Sequence, residues 1–128
     1  MNILELEHLL ALHALVLEKT GGSEGIRDLG RLEAALATQT QNVFGEELYP
    51  GILDKAAAMI RGIIADHPFV DGNKRTALLS GLTFIEINGI FFKAEEGDIE
   101  SFAIRVATDK LDIPQIVSWL NRRTTERK

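Results

Sequence analysis

The feature that most constrains the fold is the repeated interruption of apolar, helix-period segments by glycine, proline and Asn-Gly breakers. Between these breakers, apolar side chains recur at the three- and four-residue spacing of an α-helix. The predicted helices cover residues 3–18, about 28 or 30 to 39, 52–65, about 73 or 74 to 87, 98–108 and 113–123. Residues 41–51 predict a flap or short hairpin, and residues 90–93 a short extended piece. The fold is therefore predicted to be all-α, with about six helices and at most a minor strand pair.

The inner face of the first helix follows from the same spacing. The predicted apolar helical stripe consists of Ile3, Leu6, Leu10, Leu17 and neighbouring leucines. His8 and His13 lie on this helix five residues apart, so they do not share a face at metal-ligand spacing. We interpret both as surface or helix-packing residues.

Composition limits the classes of protein that the chain can represent. Its 128 residues suit one domain, predicted as residues 1–128, and 45% hydrophobic against 26% charged residues is typical of a globular protein. No apolar run approaches the roughly 20 residues of a membrane span, and the N-terminus lacks the basic start of a secretory signal. The absence of cysteine excludes disulfides and thiol catalysis. We therefore expect a cytoplasmic protein with no membrane partner.

The charge distribution argues against direct nucleic-acid binding. The formal net charge is -5, and the dense basic run is confined to Arg122-Arg123 and Arg127-Lys128. A nucleic-acid binder usually shows a concentrated basic face. We interpret this run as a solvated helix end and tail, where cations also suit the helix dipole.

The segment His67-Pro68-Phe69-Val70-Asp71-Gly72-Asn73-Lys74-Arg75 concentrates the residues that can carry chemistry. Asp71-Gly72-Asn73 is a turn signal that leads into a helix, and the free N–H groups of a helix start bind anions. Lys74 and Arg75 add positive charge there. A carboxylate at this place is explained if Asp71 holds Mg²⁺ that bridges phosphate oxygens. His67 is expected in a strained, extended step before proline, where a neutral imidazole could take a proton from a hydroxyl.

Each of these residues has an ordinary structural interpretation when taken alone. A single histidine is usually structural or solvated, Asp71 suits a turn or a helix cap, and Lys74 and Arg75 suit a surface. Phe69 is expected to anchor the loop in the core. The combination of all of them within one short segment at a helix start favours a phosphate site.

Residues 67–77 resemble the signature of the death-on-curing (Doc) toxins. These belong to the wider Fic superfamily, whose usual motif reads His-x-Phe-x-Asp/Glu-Gly-Asn-Gly-Arg-x-x-Arg. The resemblance continues through residues 21–28, Leu32-Glu33, Leu48-Tyr49-Pro50, residues 55–58, Asn88-Gly89 and Trp119-Leu120. It covers essentially the whole chain, and implies a Fic/Doc-type domain that serves as the toxin of a type II toxin–antitoxin system.

The resemblance also implies roles for individual residues. His67 would be the catalytic base that activates a hydroxyl on a target protein, and Asp71 would bind Mg²⁺. The residues that would hold the phosphates of ATP are Gly72, Asn73, Lys74 and Arg75. The flap that positions the target segment would include Leu48, Tyr49 and Pro50.

Two departures from the usual Fic motif bear on the reaction. Typical Fic proteins, which transfer AMP, carry glycine where this chain has Lys74 and a second arginine where it has Leu78. Both differences match the Doc branch, whose members resemble kinases that move the γ-phosphate of ATP to a threonine of elongation factor Tu and arrest translation. An AMP transferase and a catalytically silent, antitoxin-binding protein are the alternatives. The intact His67, Asp71, Asn73 and Arg75 argue against the silent protein.

Residues 20–28 admit a second interpretation. Thr20-Gly21-Gly22-Ser23-Glu24-Gly25 formally fits the self-inhibiting helix of many Fic proteins, but its glycines disfavour a helix. We interpret residues 21–28 as a helix cap, in which Arg27 and Asp28 pair locally and Asp28 caps the next helix. Control in trans would follow, and the resemblance implies a small Phd-like antitoxin whose C-terminal segment folds on binding.

Overall fold

The computed structural model describes residues 1–95 and 97–126. Its six α-helices are α1 (Leu6–Thr20), α2 (Leu29–Ala37), α3 (Ile52–Asp66), α4 (Asn73–Ile87), α5 (Asp98–Thr108) and α6 (Ile113–Asn121). The strands are β1 (Asn42–Val43), β2 (Glu46–Glu47), β3 (Ile90–Phe92) and β4 (Thr124–Glu126). The strands form two antiparallel pairs, β1 with β2 and β3 with β4. The predicted six-helix fold with a short hairpin is confirmed.

Helix α3 is the centre of the core. Seven of its apolar side chains are buried, and α2, α4, α5 and α6 all pack against it. Gly81 of α4 allows a close approach, because a Cβ there would lie 2.5 Å from Ile60. At the other side of the core, Trp119 stacks on Phe102 with ring centroids 3.9 Å apart. The tight packing of α3 on α4 fixes the loop that joins them.

The predicted inner stripe of α1 is wrong in part. Ile3 and Leu10 are exposed, and the buried residues of the helix are Leu9, His13 and Val16. Leucine or isoleucine occupies almost every face of this helix, so spacing alone cannot select the buried one. The observed face places a histidine against the α3–α4 loop.

The chain after α6 also differs from the expectation. The helix ends at Asn121, and residues 124–126 form β4 against the predicted extended piece at β3. Arg123 is not merely solvated, because its guanidinium lies 4.4 Å from the Trp119 ring centroid and 3.6 Å from a carboxylate oxygen of Asp98. Arg127 and Lys128 lie outside the described residues. No helix in the described part of the chain is both long and apolar enough to cross a membrane.

Candidate active site

The α3–α4 loop, residues 67–72, is held by the first residue of α4. The Asn73 side chain accepts the N–H of Phe69 at 2.9 Å through Oδ1 and donates to the Phe69 carbonyl at 3.0 Å through Nδ2. Asn73 is buried, and Phe69 is fully buried as predicted. The sequence resemblance assigns Asn73 to the phosphates. The structure uses its amide to clamp the loop, which leaves its backbone N–H to face an anion.

His67 ends α3 in a left-handed conformation. Its φ and ψ are 47° and 59°, and its N–H donates to the Ile63 carbonyl at 3.1 Å. The expected extended conformation is therefore wrong, because the residue also serves as the C-terminal cap of a helix, for which the left-handed region is suited. A non-glycine residue there carries strain of the order of 1–3 kcal/mol. The residue is exposed, so its imidazole can meet a substrate.

Residues 25–28 fasten the loop from outside. The Arg27 guanidinium donates to the carbonyls of His67 at 2.7 Å and Asp66 at 2.5 Å. The Pro68 carbonyl accepts the N–H groups of both Arg27 and Asp28. The predicted local pairing of Arg27 with Asp28 is therefore wrong, since free carbonyls at the end of α3 attract the guanidinium instead.

The predicted cap of α2 is confirmed. The Asp28 carboxylate accepts the backbone N–H of Arg31 at 3.1 Å. Its second oxygen lies 3.2 Å from the Arg31 guanidinium, which also reaches Asp66 at 3.0 Å. These ion pairs connect the start of α2 to the end of α3 next to His67.

Asp71 presents its carboxylate next to the loop that follows α1. Oδ2 accepts the backbone N–H of Ser23 at 2.7 Å, and the residue is exposed. Gly22 makes this approach possible, because a Cβ at Gly22 would lie 3.2 Å from the Asp71 Cβ. Residues 21–25 are not helical, as their glycines predicted. The formal match of residues 20–25 to a self-inhibiting helix is therefore a match of sequence without the helical conformation.

His13 is a part of the site that the sequence did not reveal. Its ring stacks on Phe69, with centroids 3.9 Å apart, and its Nε2 lies 2.8 Å from the Asp71 carbonyl oxygen. A carbonyl oxygen only accepts, so Nε2 carries the proton. Of the two predicted alternatives, a surface or a packing histidine, the buried His13 is the packing one, although it packs on the α3–α4 loop. The available signal in the sequence was that His13 lies four residues after Leu9 and three before Val16, on the same helix face. A polar ring on a buried face requires a hydrogen-bond partner.

Helix α4 begins at the end of this loop without a side-chain cap. Gly72 has φ 79°, and a Cβ there would come within 3.4 Å of Val16 and Leu17. The N–H groups of the first turn, at Asn73, Lys74 and Arg75, therefore have no intrahelical acceptor. Such a helix start attracts anions. The exposed side chain of Lys74 adds a positive charge beside it.

Arg75 is turned toward α5. Its guanidinium lies 2.7 Å from a carboxylate oxygen of Glu100, and the two side chains are 39% and 46% exposed. Ion pairs with this exposure contribute only about 0–1 kcal/mol. A bound phosphate can therefore compete with Glu100 for Arg75.

The hairpin expected for the flap lies slightly earlier than the three residues assigned to it. Strands β1 and β2 flank a tip at Phe44-Gly45, and the Leu48 N–H closes the base on the Gln41 carbonyl at 2.9 Å. Tyr49 and Pro50 belong to the connection into α3, where the buried Lys55 Nζ binds the Tyr49 carbonyl. The hairpin is thus rooted at the end of α3 opposite to His67, about 20 Å away along the helix axis.

The polar groups around Asp71 fit a magnesium ion brought with a nucleotide. One carboxylate oxygen of Asp71 accepts a hydrogen bond, and the other has no partner among the described residues. Those residues contain no group of three or more histidine, cysteine or acidic side chains that could hold a metal alone. Mg²⁺ commonly takes one or two carboxylates and completes its shell with phosphates and water.

Comparison of the chain with known proteins shows the family to which it is related. Residues 3–85 match the sequence model of the Fic/DOC family. A "Toxin Doc" of Mycolicibacterium smegmatis is 39% identical over 102 residues, which is 78% of either chain. A "Protein kinase doc" of Escherichia phage P1 is 32% identical over 118 residues, covering 91% of this chain and 90% of the relative. With most of the chain covered by these matches, the protein belongs to the Fic/Doc family.

Proposed function

We propose that this protein is a Doc-type toxin that transfers the γ-phosphate of ATP to a hydroxyl of a target protein. The observation that carries the proposal is the α3–α4 loop. It presents the exposed His67 and the Asp71 carboxylate on one clamped backbone that leads directly into the free N–H groups of α4. The names of the two relatives, a toxin and a protein kinase, support the same conclusion.

The reaction requires a base and positive charge on opposite sides of the transferred group. The target hydroxyl oxygen forms a bond to the γ-phosphorus while the bond to the ADP oxygen breaks, and the hydroxyl proton goes to His67. The first turn of α4 and Lys74 stabilise the charge on the phosphoryl oxygens. Arg75 joins them when it leaves Glu100. The hydrogen bonds of Asn73 and Arg27 keep His67 in place, so little reorganisation is required.

Asp71 is the residue that would hold Mg²⁺. When bound, the ion would neutralise phosphate charge. The hydrogen bond from the Ser23 N–H holds one carboxylate oxygen of Asp71, and the contact of His13 with the Asp71 carbonyl fixes its backbone next to the start of α4.

Two positions favour phosphate transfer over AMP transfer. Lys74 replaces the glycine of the usual Fic motif, and Leu78 replaces its second arginine. Leu78 is fully buried in the core, so this position offers no cation to a nucleotide. The kinase activity in the name of the phage relative agrees with this choice.

We further propose that an antitoxin controls the protein by occupying the groove between α1, α4 and α5. This groove encloses about 400 Å³ and is lined by Leu15, Val16, Leu79 and Ile99, with Lys19 and the Arg75–Glu100 pair at its edge. Leu15 is 52% exposed there. An amphipathic segment of a Phd-like antitoxin would fold as a helix on these apolar residues.

The proposed target is a threonine of elongation factor Tu in the cytoplasm, whose modification would arrest translation. The test is to incubate purified elongation factor Tu and Mg²⁺ with this protein and ATP labelled in either the γ- or the α-phosphate. We expect label from the γ-phosphate only. Label from the α-phosphate would make the protein an AMP transferase. If elongation factor Tu takes up no label, the assay is repeated on a whole-cell extract. No labelled protein there, with either form of ATP, would refute the transfer of any group.

A further inference from the structure

A pocket lies beside His67 and is lined by α3, α5 and the residues that follow them. It encloses about 300 Å³ between the C-terminal halves of α3 and α5. Its apolar floor includes Ile64, Val106 and Leu111, and its rim carries Arg61, His67 and Lys110. Neither Asp71 nor any residue of α4 lines it. This base-side pocket is therefore separate from the groups that face the phosphates.

The charge of this pocket is opposite to that of the whole chain. The chain carries a formal net charge of -5, yet none of the described residues that line the pocket is acidic. Arg61 and Lys110 are exposed, and within residues 1–95 and 97–126 neither side chain has a hydrogen-bond or ion-pair partner. Two unpaired cations above an apolar floor are complementary to a ligand that carries both an apolar group and carboxylates.

Lys110 occupies a costly backbone position. Its φ is 48°, and it lies directly after the cap of α5, where the Leu111 N–H returns to the Val106 carbonyl at 3.2 Å. Glycine or asparagine is the usual residue at such a turn. A lysine therefore introduces strain here and places a cation at the rim of the pocket. Strain at a residue beside an active site is a reason to look for a function.

The position of the pocket relative to His67 identifies its occupant. A base that takes the proton of the attacking hydroxyl stands behind that hydroxyl, while the phosphates stand in front of it. Space that His67 lines and the phosphate-facing residues do not line can hold the target segment without displacing the phosphates. We propose that the base-side pocket binds the target segment around its acceptor hydroxyl. An apolar side chain of that segment fills the floor, and carboxylates one or two residues away pair with Arg61 and Lys110.

This proposal rests on the proposed function, but it can be tested by binding alone. The probes are the peptides acetyl-Asp-Leu-Thr-Asp-amide and acetyl-Lys-Leu-Thr-Lys-amide, titrated into isotope-labelled protein and followed by NMR. We expect the acidic peptide to shift the methyl signals of Ile64, Val106 and Leu111, and the basic peptide to leave them unchanged. Equal shifts with both peptides, no shifts, or shifts confined to residues 71–75 would overturn the proposal.

Charge-reversed variants sharpen the test. Arg61→Glu and Lys110→Glu should each weaken binding of the acidic peptide about fivefold, as expected for an exposed ion pair. Lys93→Glu makes the same charge change at an exposed site outside the pocket and should have no effect. The affinity for Mg-ATP should be equal in all four proteins. If the two pocket variants instead lose Mg-ATP affinity, the pocket belongs to the nucleotide and the proposal is wrong. Peptide binding in the pocket, combined with no label transfer to any protein of a whole-cell extract, would refute the proposed function and leave the subsite standing.

Discussion

The amide of Asn73 provides the sharpest test of how the catalytic loop is held. Replacement by alanine removes both hydrogen bonds to Phe69, whose N–H and carbonyl lie in a fully buried residue. An unpaired buried polar group costs about 1–3 kcal/mol. With two such groups left unpaired, we expect Asn73→Ala to lower the free energy of unfolding by about 2–6 kcal/mol, a large share of the 5–15 kcal/mol typical of a domain.

The assay is urea unfolding followed by circular dichroism, and the variants are compared when the dependence of their unfolding free energy on urea concentration is the same. The matched control is Asn121→Ala at the exposed end of α6, which should change the free energy of unfolding by less than about 0.5 kcal/mol. Asn73→Asp retains an acceptor for the Phe69 N–H and faces the carbonyl with a carboxylate, so it should also destabilise the fold. If Asn73→Ala is as stable as the control but binds ATP poorly, the amide is a phosphate ligand and not the clamp of the loop.

Three further substitutions test the surroundings of the loop. Gly72→Ala should lower the free energy of unfolding by about 1–3 kcal/mol in the same urea assay, because the new Cβ crowds α1 and the backbone is left-handed. The control is Gly89→Ala, which has a similar φ of 86° but open space around it and should lose less. Equal losses would refute the crowding. His13→Phe keeps the ring stack on Phe69 but loses the N–H that meets the Asp71 carbonyl. We expect phosphate transfer in the label assay to be about tenfold slower and its dependence on Mg²⁺ concentration to change. Unchanged kinetics would make His13 a packing residue only. Lys74→Ala should weaken transfer without lowering the melting temperature, because Lys74 is exposed; full activity would make it an ordinary surface charge.

The sequence could predict the helices and the chemical segment because both are local patterns. Breakers at Gly21-Gly22, Pro50-Gly51 and Asn88-Gly89 lie at or beside helix ends, so the helices are recognisable without tertiary information. The grouping of His67 with Asp71 at the start of α4 is likewise contained in one short stretch of chain.

The parts that the sequence could not predict depend on distant contacts. Arg27 was expected to bind its neighbour Asp28, and instead it binds carbonyls 39 and 40 residues away. His13 meets Asp71 across 58 residues. The conformation of His67 is hard to predict for a different reason. Two local rules compete at that residue, extension before proline and left-handed capping of a helix, and the hydrogen bond to Ile63 decides for the cap.

The central claim is that His67 is the base of a phosphate transfer. The most direct measurement is the intact mass of purified elongation factor Tu after incubation with ATP, Mg²⁺ and either the wild-type protein or His67→Ala. The account predicts a gain of one phosphate, formed about 10²–10⁴ times more slowly by the variant. A gain of one AMP would contradict phosphate transfer, and equal rates with the two proteins would remove His67 from the role of base.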